Sequence, residues 1–300
     1  MQARLIAYPP DSAAITRLIG AGEVLRVGRV PDPDHPRQLS LGHPSVSRYH
    51  AEFRTGPHGW RVVDCGSKNG TFVEGSAVRD VTLAQPCWLR FGDVYCEFSP
   101  TTAEDIGMEQ RRLLEQRAAA TAHTQRIGGL VQLGDLLDAS LRAVLELTQC
   151  ERGFVLIDEG SERVVRASLS LDPAALGASR FRGSIGAVRR ALEQRRPVVV
   201  NEIGGQAWLA SRQSVMAAGL TCLVCLPLLD GPHVLGAIYV DRVSAGPPIN
   251  TLDIELLEAF AENASVWIAA RRASEQIAGV QDARAPAWRD IVAAHTEDPE

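Results

Sequence analysis

The chain has 300 residues, of which 45% are hydrophobic and 22% are charged, and its formal net charge is −5. The length suits two globular domains of ordinary size, and the composition excludes a largely disordered protein. The net negative charge argues against nucleic acid as the main partner, because nucleic-acid binders usually present a strongly basic surface.

Localisation is predicted from features that the sequence lacks. The longest apolar stretch, at 223–229, contains a proline and is far shorter than the roughly 20 residues that a membrane helix needs. The N-terminus has no apolar core of the kind found in a signal peptide. The six cysteines show no tightly paired pattern, as expected for free thiols in a reducing compartment. We therefore expect a cytoplasmic protein with no membrane contact.

Residues 1–100 predict an all-β domain. Short segments rich in β-branched and aromatic residues recur at regular intervals, with Gly, Pro, Asp or Asn between them. This spacing is typical of a β-sandwich or a β-barrel. The predicted strands are RLIAY, EVLRVGR, HAEFRT, GWRVVDC, TFVEG, CWLRFGD and YCEFS.

A helical pattern begins after residue 100. Thr101 or Thr102 is a suitable N-cap, and two acidic residues follow where a helix favours negative charge. A Gly-Gly pair interrupts this pattern, which predicts a helical linker over 101–130. A second helix with one apolar face is predicted over 133–148.

Residues 131–278 predict a second domain of α+β type, an antiparallel sheet flanked by helices, and 279–300 predict a flexible tail. The segment TCLVCLPLLDGPHVLGAIYVDR reads as two strands of an antiparallel hairpin that turns at 230–232. The last long helix is predicted to begin at Asn250, an N-cap with Asp253 three residues further on.

Three turn segments of the first domain collect hydrogen-bond donors. They are RVGR, SVSRYH and GSKNGT, and they carry Arg29, Ser47, Arg48, Lys68 and Asn69. If the strands bring these turns to one end of the sandwich, the cluster has many donors and few acceptors, which suits a phosphate group. Lys68 is the only lysine in the chain and offers a mobile point charge.

In order and spacing, these motifs resemble the forkhead-associated (FHA) domain. The resemblance covers about residues 4–99. It implies an eleven-stranded β-sandwich that binds phosphothreonine peptides with loops at one end. The motifs that carry it are Gly28–Arg29, SRYH at 47–50, DCGSKNGT at 64–71 and FGD at 91–93.

The resemblance also implies a role for each residue of the cluster. Ser47 and Arg48 would hold the phosphate, and Arg29 would contact the phosphate or the peptide backbone. Lys68 stands where the family commonly has threonine or serine. Asn69 would bind the peptide main chain beside the phosphothreonine.

Four other positions near these motifs concern the scaffold. Gly28 and Gly70 fit turns, and His50 would tie the loops together. Glu74 departs from the asparagine that the family usually has before the glycine of the next turn. The GSKNGT segment lacks the spacing and the βαβ context of a P-loop, so we expect no nucleotide hydrolysis there.

About residues 130–275 resemble a GAF domain. The segments that carry the resemblance are LGDLLDASLRAVLELTQCERGFVLI, SIGAVRRALEQRRPVVV, MAAGLTCLVCLPL, VLGAIYVD and TLDIELLEAFAENASVWIA. It implies an antiparallel sheet between helices, homodimerisation through the terminal helices, and a pocket that holds a small molecule in some members. The motif of the cyclic-nucleotide-binding members is absent, so the cofactor or ligand stays unknown.

Cys222 and Cys225 raise the question of metal or thiol chemistry. Residues three apart on a strand point to opposite faces, so one thiol would face the core and the other would face away from it. This favours buried apolar cysteines over a metal site or a disulfide. We expect no metal. The alternative function is a redox enzyme that uses these two thiols, similar to GAF proteins that reduce methionine sulfoxide.

The sequence therefore predicts a signalling adaptor rather than an enzyme. Its partners would be phosphothreonine proteins, the substrates of a Ser/Thr kinase, and its second domain would sense a small molecule or form a homodimer. A further hypothesis is self-binding, because Thr101, Thr102 and Thr296 lie in acidic surroundings. If phosphorylated, one of them would occupy the protein's own site.

Overall fold

The fold is described from a computed structural model, which covers residues 2–10, 12–35, 37–57, 59–160, 162–171, 185–201 and 220–278. The chain divides into two compact units, Met1–Leu113 and Leu114–Glu300. The narrower domain limits stated above stay predictions. None of the described helices is both long and apolar enough to span a membrane.

Among its described residues, the first unit contains eleven strands that form a β-sandwich. One sheet has the strand order β2-β1-β11-β10-β7-β8 and the other β4-β3-β5-β6-β9. Neighbouring strands are antiparallel, except for the parallel pair β3 and β4. The predicted all-β sandwich is confirmed. The strands are β1 (Gln2–Tyr8), β2 (Ile15–Ile19), β3 (Leu25–Gly28), β4 (Gln38–Ser40), β5 (Ala51–Gly56), β6 (Gly59–Asp64), β7 (Thr71–Val73), β8 (Ser76–Val78), β9 (Asp80–Leu83), β10 (Cys87–Phe91) and β11 (Val94–Thr101).

Aromatic side chains fill the core between the two sheets. Trp60, Phe53, Phe91 and Phe98 are fully buried. The Phe53 ring stacks on Phe98 at 5.9 Å between centroids and meets the edge of Phe91 at 6.1 Å. Burial of side chains of this size contributes roughly 1.5–3 kcal/mol each, so these rings fix how the sheets, and hence their loops, face each other.

The turn at Glu74 keeps its hairpin geometry despite the unusual residue. Val73 pairs with Ser76, which leaves a two-residue loop. Glu74 has a φ of 47° and Gly75 a φ of 79°, the left-handed conformation that such loops require. The Glu74 carboxylate accepts a hydrogen bond from the Trp88 amide at 2.6 Å, which ties the turn to β10.

The second unit is an α+β domain with one antiparallel sheet of strand order β13-β12-β16-β15-β14. The predicted fold class is confirmed, as is the hairpin turn, where Asp230 pairs with His233. Helix α1 spans the division between the units at residue 113. The elements are α1 (Ala103–Gly128), α2 (Leu133–Thr148), β12 (Arg152–Asp158), β13 (Arg163–Leu169), α3 (Ile185–Gln194), β14 (Val198–Asn201), β15 (Cys222–Asp230), β16 (His233–Arg242) and α4 (Thr251–Ala278).

Both faces of this sheet are covered. One core lies between the sheet and helices α2 and α4, and includes Leu141, Val224 and Phe260. A second core lies against α3 and includes Phe154 and Tyr239, whose rings stack at 5.0 Å between centroids. Because both faces are buried, the central strands read as continuous apolar runs rather than as an alternating pattern.

The helix starts follow the predicted caps. The Asn250 side-chain oxygen accepts hydrogen bonds from the amides of Leu252 and Asp253, and the Asp253 carboxylate accepts one from the Asn250 amide. At α1, Thr102 rather than Thr101 is the cap, since its hydroxyl oxygen accepts from the Asp105 amide at 3.2 Å. Each such cap contributes about 1 kcal/mol to stability.

Candidate phosphate-binding site

The three predicted turn segments meet at one end of the sandwich. Ser47 is the point at which they join: its carbonyl accepts a hydrogen bond from the Arg29 amide, and its Oγ accepts one from the Lys68 amide, both at 3.0 Å. The Asn69 side-chain amide donates to the Ser45 carbonyl at 2.7 Å. Residues from the turns after β3, β4 and β6 are thereby brought into one site.

Several donors in this site remain available to a ligand. The Ser47 hydroxyl uses its oxygen to accept from Lys68, and its hydrogen has no acceptor among the described residues. Asn69 is exposed, and its side-chain amide donates one hydrogen bond to the Ser45 carbonyl. Its Oδ1 has no hydrogen-bond partner among the described residues. The site therefore offers both a donor for a phosphate and an acceptor for a peptide N–H.

No carboxylate among the described residues neutralises the positive charges in the site. Within the described ranges, the side chains of Arg29, Arg48 and Lys68 take part in no ion pair. Elsewhere in the same unit arginines do find carboxylates, as Arg26 does with Glu52 at 3.2 Å. Three uncompensated cations at one end of a domain attract an anion, since exposed charges interact over about 10 Å at ordinary salt.

His50 holds two of the loops from inside the sandwich. It is fully buried, its Nδ1 accepts a hydrogen bond from the Ser47 amide at 3.1 Å, and its Nε2 donates to the Gly70 carbonyl at 3.1 Å. The pair of bonds requires a neutral ring with its hydrogen on Nε2. Burial lowers the pKa of His50, although the Gly70 carbonyl and the charge of Asp64 oppose this.

Gly28 lies where no side chain fits. A Cβ atom at this position would be 2.2 Å from the Arg48 carbonyl oxygen and 2.6 Å from the Gln38 side-chain nitrogen. The close approach lets the chain after β3 pass directly beneath Arg48. Gly70 has a φ of 78°, a conformation that other residues rarely adopt. Both glycines thus have a physical reason to be where they are.

Asp64 organises the third turn, and sequence reasoning gave it no role beyond opening the DCGSKNGT motif. Its Oδ1 accepts from the amides of Gly66 and Ser67 at 2.9 and 3.0 Å, and its Oδ2 accepts from the hydroxyls of Ser67 and Thr71 at 2.6 and 2.7 Å. Burial raises the pKa of Asp64, but these hydrogen bonds outweigh it and hold the pKa below its usual value. Ionised Asp64 therefore shapes the loop that presents Lys68.

Ser45 was also missed. Its Oγ accepts a hydrogen bond from the Asp93 amide at 2.8 Å and lies 2.7 Å from Nδ1 of His43, while its carbonyl accepts from Asn69. Gly92 has no room for a side chain, because a Cβ atom would lie 2.5 Å from the Ser45 carbonyl oxygen. The late FGD motif thus supports the position of Asn69 through Ser45.

The threonines of the self-binding hypothesis are engaged in local structure. The Thr102 hydroxyl donates to the Asp105 carboxylate at 2.8 Å as part of the α1 cap. Thr101 ends β11, where it pairs with Gln2, and its hydroxyl donates to the Thr102 carbonyl. Thr296 lies outside the described residues. The self-binding hypothesis stays a prediction.

Cys222 and Cys225 point to opposite faces of the sheet, as their spacing predicts. The expectation that one thiol would face away from the core was wrong, because both faces are covered. Cys222 lies in the core beside α2 and α4, and Cys225 in the core beside α3. Burial raises the pKa of Cys225, and a hydrogen bond with Cys150, together with burial, raises the pKa of Cys222. The two cysteines do not form a shared centre.

No metal-binding group emerges from the part of the chain that the structure describes. In those residues no three His, Cys, Asp or Glu side chains are grouped so that they could hold a metal ion.

Comparison with known proteins identifies both units. The FHA domain model matches residues 25–94, and the GAF domain model matches residues 131–269. The chain therefore contains an FHA domain followed by a GAF domain. The order is the one predicted from the sequence.

Individual relatives cover only part of the chain. The glycogen accumulation regulator GarA of Mycobacterium tuberculosis is 34% identical over 110 residues, which span 33% of this chain and 65% of GarA. The FHA domain of the CT664 protein of Chlamydia trachomatis is 24% identical, with a TM-score of 0.30, and the match covers 34% of this chain and 100% of the CT664 domain. The GAF domain of an Acinetobacter phosphoenolpyruvate-protein phosphotransferase is 16% identical, with a TM-score of 0.42. This match covers 54% of this chain and 98% of the Acinetobacter domain.

We expect acid to destabilise the protein through His50. The folded-state pKa of His50 is lowered, so below pH about 6.5 the unfolded chain binds a proton more readily than the folded chain. The free energy of unfolding should therefore fall as the pH drops below this value. Urea denaturation of the full chain on either side of pH 6.5 measures the effect.

The matched variants for this experiment are His50→Gln and His35→Gln. Glutamine at position 50 accepts and donates without binding a proton, so this variant should lose less stability on acidification than the wild type. His35 is part-exposed and pairs with Asp32, so His35→Gln should behave like the wild type. An identical acid response in all three proteins would contradict the role assigned to His50.

Proposed function

We propose that this protein is a signalling adaptor whose FHA domain binds partner proteins phosphorylated on threonine by a Ser/Thr kinase. One observation carries the proposal: the Ser47 hydroxyl, whose hydrogen has no acceptor among the described residues, lies beside three cationic residues, Arg29, Arg48 and Lys68, whose side chains pair with no carboxylate there. A phosphothreonine brings the complementary charge of about −2 and three acceptor oxygens.

Each residue of the site has a part in this proposal. Ser47 and Arg48 donate to the phosphate oxygens, and Arg29 contacts the phosphate or the adjacent peptide backbone. Lys68 adds a mobile positive charge, and Asn69 binds the peptide main chain. The buried contacts of the scaffold residues keep these donors in place before the ligand arrives, which limits the ordering cost of binding.

The expected affinity is that of a reversible interaction. Charge-assisted hydrogen bonds contribute about 1.5–3 kcal/mol each. Two or three such bonds, after the cost of association, correspond to binding in roughly the micromolar range. A partner bound at this strength is released when a phosphatase removes the phosphate.

The relative GarA supports a regulatory role for the FHA domain. Its name describes a regulator of glycogen accumulation, and the matched region spans 33% of this chain. We propose that this chain acts by binding proteins and not by catalysis. Its partners are defined here by their chemistry, a phosphothreonine in an accessible segment.

The proposal predicts phosphate-dependent binding that needs the site residues. Titration of the full chain with a phosphothreonine peptide library and its unphosphorylated counterparts should give binding to the phosphorylated peptides alone. Combined Arg29→Ala and Ser47→Ala substitution should weaken binding more than tenfold, because two charge-assisted hydrogen bonds of about 1.5–3 kcal/mol each are lost.

Arg61→Ala is the matched control. Arg61 is exposed on β6 and pairs with Asp80, so its loss removes an arginine of the same domain without touching the site. Equal weakening by Arg61→Ala would point to general electrostatic attraction. A folded wild-type protein that binds none of the phosphopeptides would refute the proposal.

Lys68 should determine how strongly salt weakens binding. The contact from Lys68 to Ser47 uses the backbone amide, so a substitution at 68 leaves the loop intact. We expect Lys68→Thr to retain phosphate-dependent binding with a loss of up to about 1 kcal/mol and a smaller dependence on ionic strength. Lys68→Arg keeps the charge and should keep the salt dependence, and the same salt response in both variants would contradict this role.

We further propose that the GAF domain senses a small molecule or forms a homodimer, with the dimer as the version that can be tested without a known ligand. Helix α4 covers one face of the sheet while leaving Val266 67% exposed on its outer side. A homodimer formed through the outer side of α4 would present two phosphopeptide sites to one target. This raises the apparent affinity by avidity.

Light scattering of the full chain tests the homodimer. The expected mass is twice the 32.4 kDa of one chain, and Val266→Glu should reduce it towards one chain. Val131→Glu changes a residue of similar exposure outside the helices and should leave the mass unchanged. A mass of one chain for the wild type at all concentrations would remove the homodimer from the proposal.

A further inference from the structure

Cys150 and Cys222 form a thiol pair inside the GAF domain. Cys150 follows Gln149, the residue that ends α2 in a left-handed conformation, and Cys222 begins β15. The two thiols influence each other directly, since each is the largest single influence on the pKa of the other. Both belong to the core beside α2 and α4, on the face of the sheet opposite Cys225.

The end of β16 holds the two cysteines close together. Cys222 pairs with Arg242 across β15 and β16. On the other side of β16, the Glu151 amide donates to the Asp241 carbonyl at 3.0 Å, one residue after Cys150. Two segments distant in the sequence therefore flank the same two residues of one strand.

A buried cation lies beside the pair. Arg242 is 2% exposed and donates to the carbonyls of Thr148, at 3.0 Å, and Pro247. It has no carboxylate partner among the described residues, and in that part of the chain its Nε has no hydrogen-bond acceptor. An unneutralised guanidinium next to two thiols stabilises a thiolate.

The two thiols are not equivalent. The hydrogen bond from Cys222 lowers the pKa of Cys150 against the opposing effect of burial, and the charge of Arg242 lowers it further. The pKa of Cys222 is raised, by its contact with Cys150 and by burial. Cys150 is also the less buried of the two, at 9% exposure against 1%. These differences favour Cys150 over Cys222 as the nucleophile of the pair.

We propose that Cys150 and Cys222 are a site of reversible oxidation by hydroperoxides, which joins them in an intramolecular disulfide. The Cys150 thiolate attacks the peroxide oxygen, the O–O bond breaks, and the leaving alkoxide or hydroxide takes up a proton. The resulting sulfenic acid is then attacked by the Cys222 sulfur, the S–O bond breaks, and water leaves with the proton of Cys222. In sum, two thiols and one peroxide give a disulfide, water and the corresponding alcohol or a second water.

The disulfide would link the end of α2 to the first residue of β15. Cys222 pairs with Asn201 of β14 as well as with Arg242, so the new bond joins the helix layer to three neighbouring strands. The modification is stoichiometric and does not require the chain to be an enzyme. It is also independent of phosphopeptide binding, because all of its residues lie in the second unit.

The test is differential alkylation of the full chain after treatment with hydrogen peroxide. The protein is denatured with N-ethylmaleimide, digested without reductant and examined by mass spectrometry. We expect a cross-linked peptide pair that contains Cys150 and Cys222 with two hydrogen atoms lost, and the loss of alkylation at these two positions alone. Reduction with dithiothreitol should restore alkylation at both.

Cys225 provides the internal comparison. It is buried, and among the described residues no other cysteine belongs to its core, so it should stay fully alkylated. Cys225→Ala should leave the disulfide unchanged, whereas Cys222→Ala should leave Cys150 to oxidise to a sulfenic acid that dimedone traps. Full alkylation of Cys150 and Cys222 in peroxide-treated wild-type protein, or a loss no greater than at Cys225, would overturn the proposal.

Discussion

The candidate phosphate site depends on a single neutral imidazole buried beneath it. His50 receives the amide hydrogen of Ser47 on one nitrogen and gives its own hydrogen to the Gly70 carbonyl with the other. The His50 ring lies edge-on to the Phe91 ring, with 5.6 Å between the two centroids. The aromatic core therefore fixes the position of the imidazole that binds both loops. Unpaired backbone groups are costly to bury, which means that neither loop can leave this position cheaply.

Much of this site could be predicted from the sequence, because its loops contain residue types that favour turns. The glycines, the serine before arginine and the asparagine before glycine mark the loops, and their order identified the domain. What the sequence does not reveal is which polar side chain faces inward. From the sequence, Asp64 reads as part of a predicted strand, yet it accepts four hydrogen bonds that shape the loop. Such a role depends on how the chain folds back on itself, which composition and periodicity do not encode.

The second unit shows the complementary limit. Period-2 alternation places Cys222 and Cys225 on opposite faces, and this prediction is confirmed by their separate cores. The neighbour of Cys222 is set instead by strand order, since β16 lies between β12 and β15. No local pattern connects Cys150 to Cys222, and only the sheet topology brings them together. Sequence reasoning therefore weighed the cysteine pair that is close in the chain and missed the pair that is close in space.

Both sites contain positive charge that no carboxylate neutralises among the described residues. In a chain of net charge −5, some other part-buried arginines do meet a carboxylate, as Arg152 does with Asp241. Arg29, Arg48 and Lys68 have no carboxylate partner there, and solvent and salt screen their charges until an anion binds. Arg242 also has no carboxylate partner there, but it is buried, where an uncompensated charge is costly. The carbonyl oxygens of Thr148 and Pro247 supply part of that compensation, and a thiolate at Cys150 would supply the rest. The same charge imbalance thus favours binding an external anion at the surface and forming an internal one in the core.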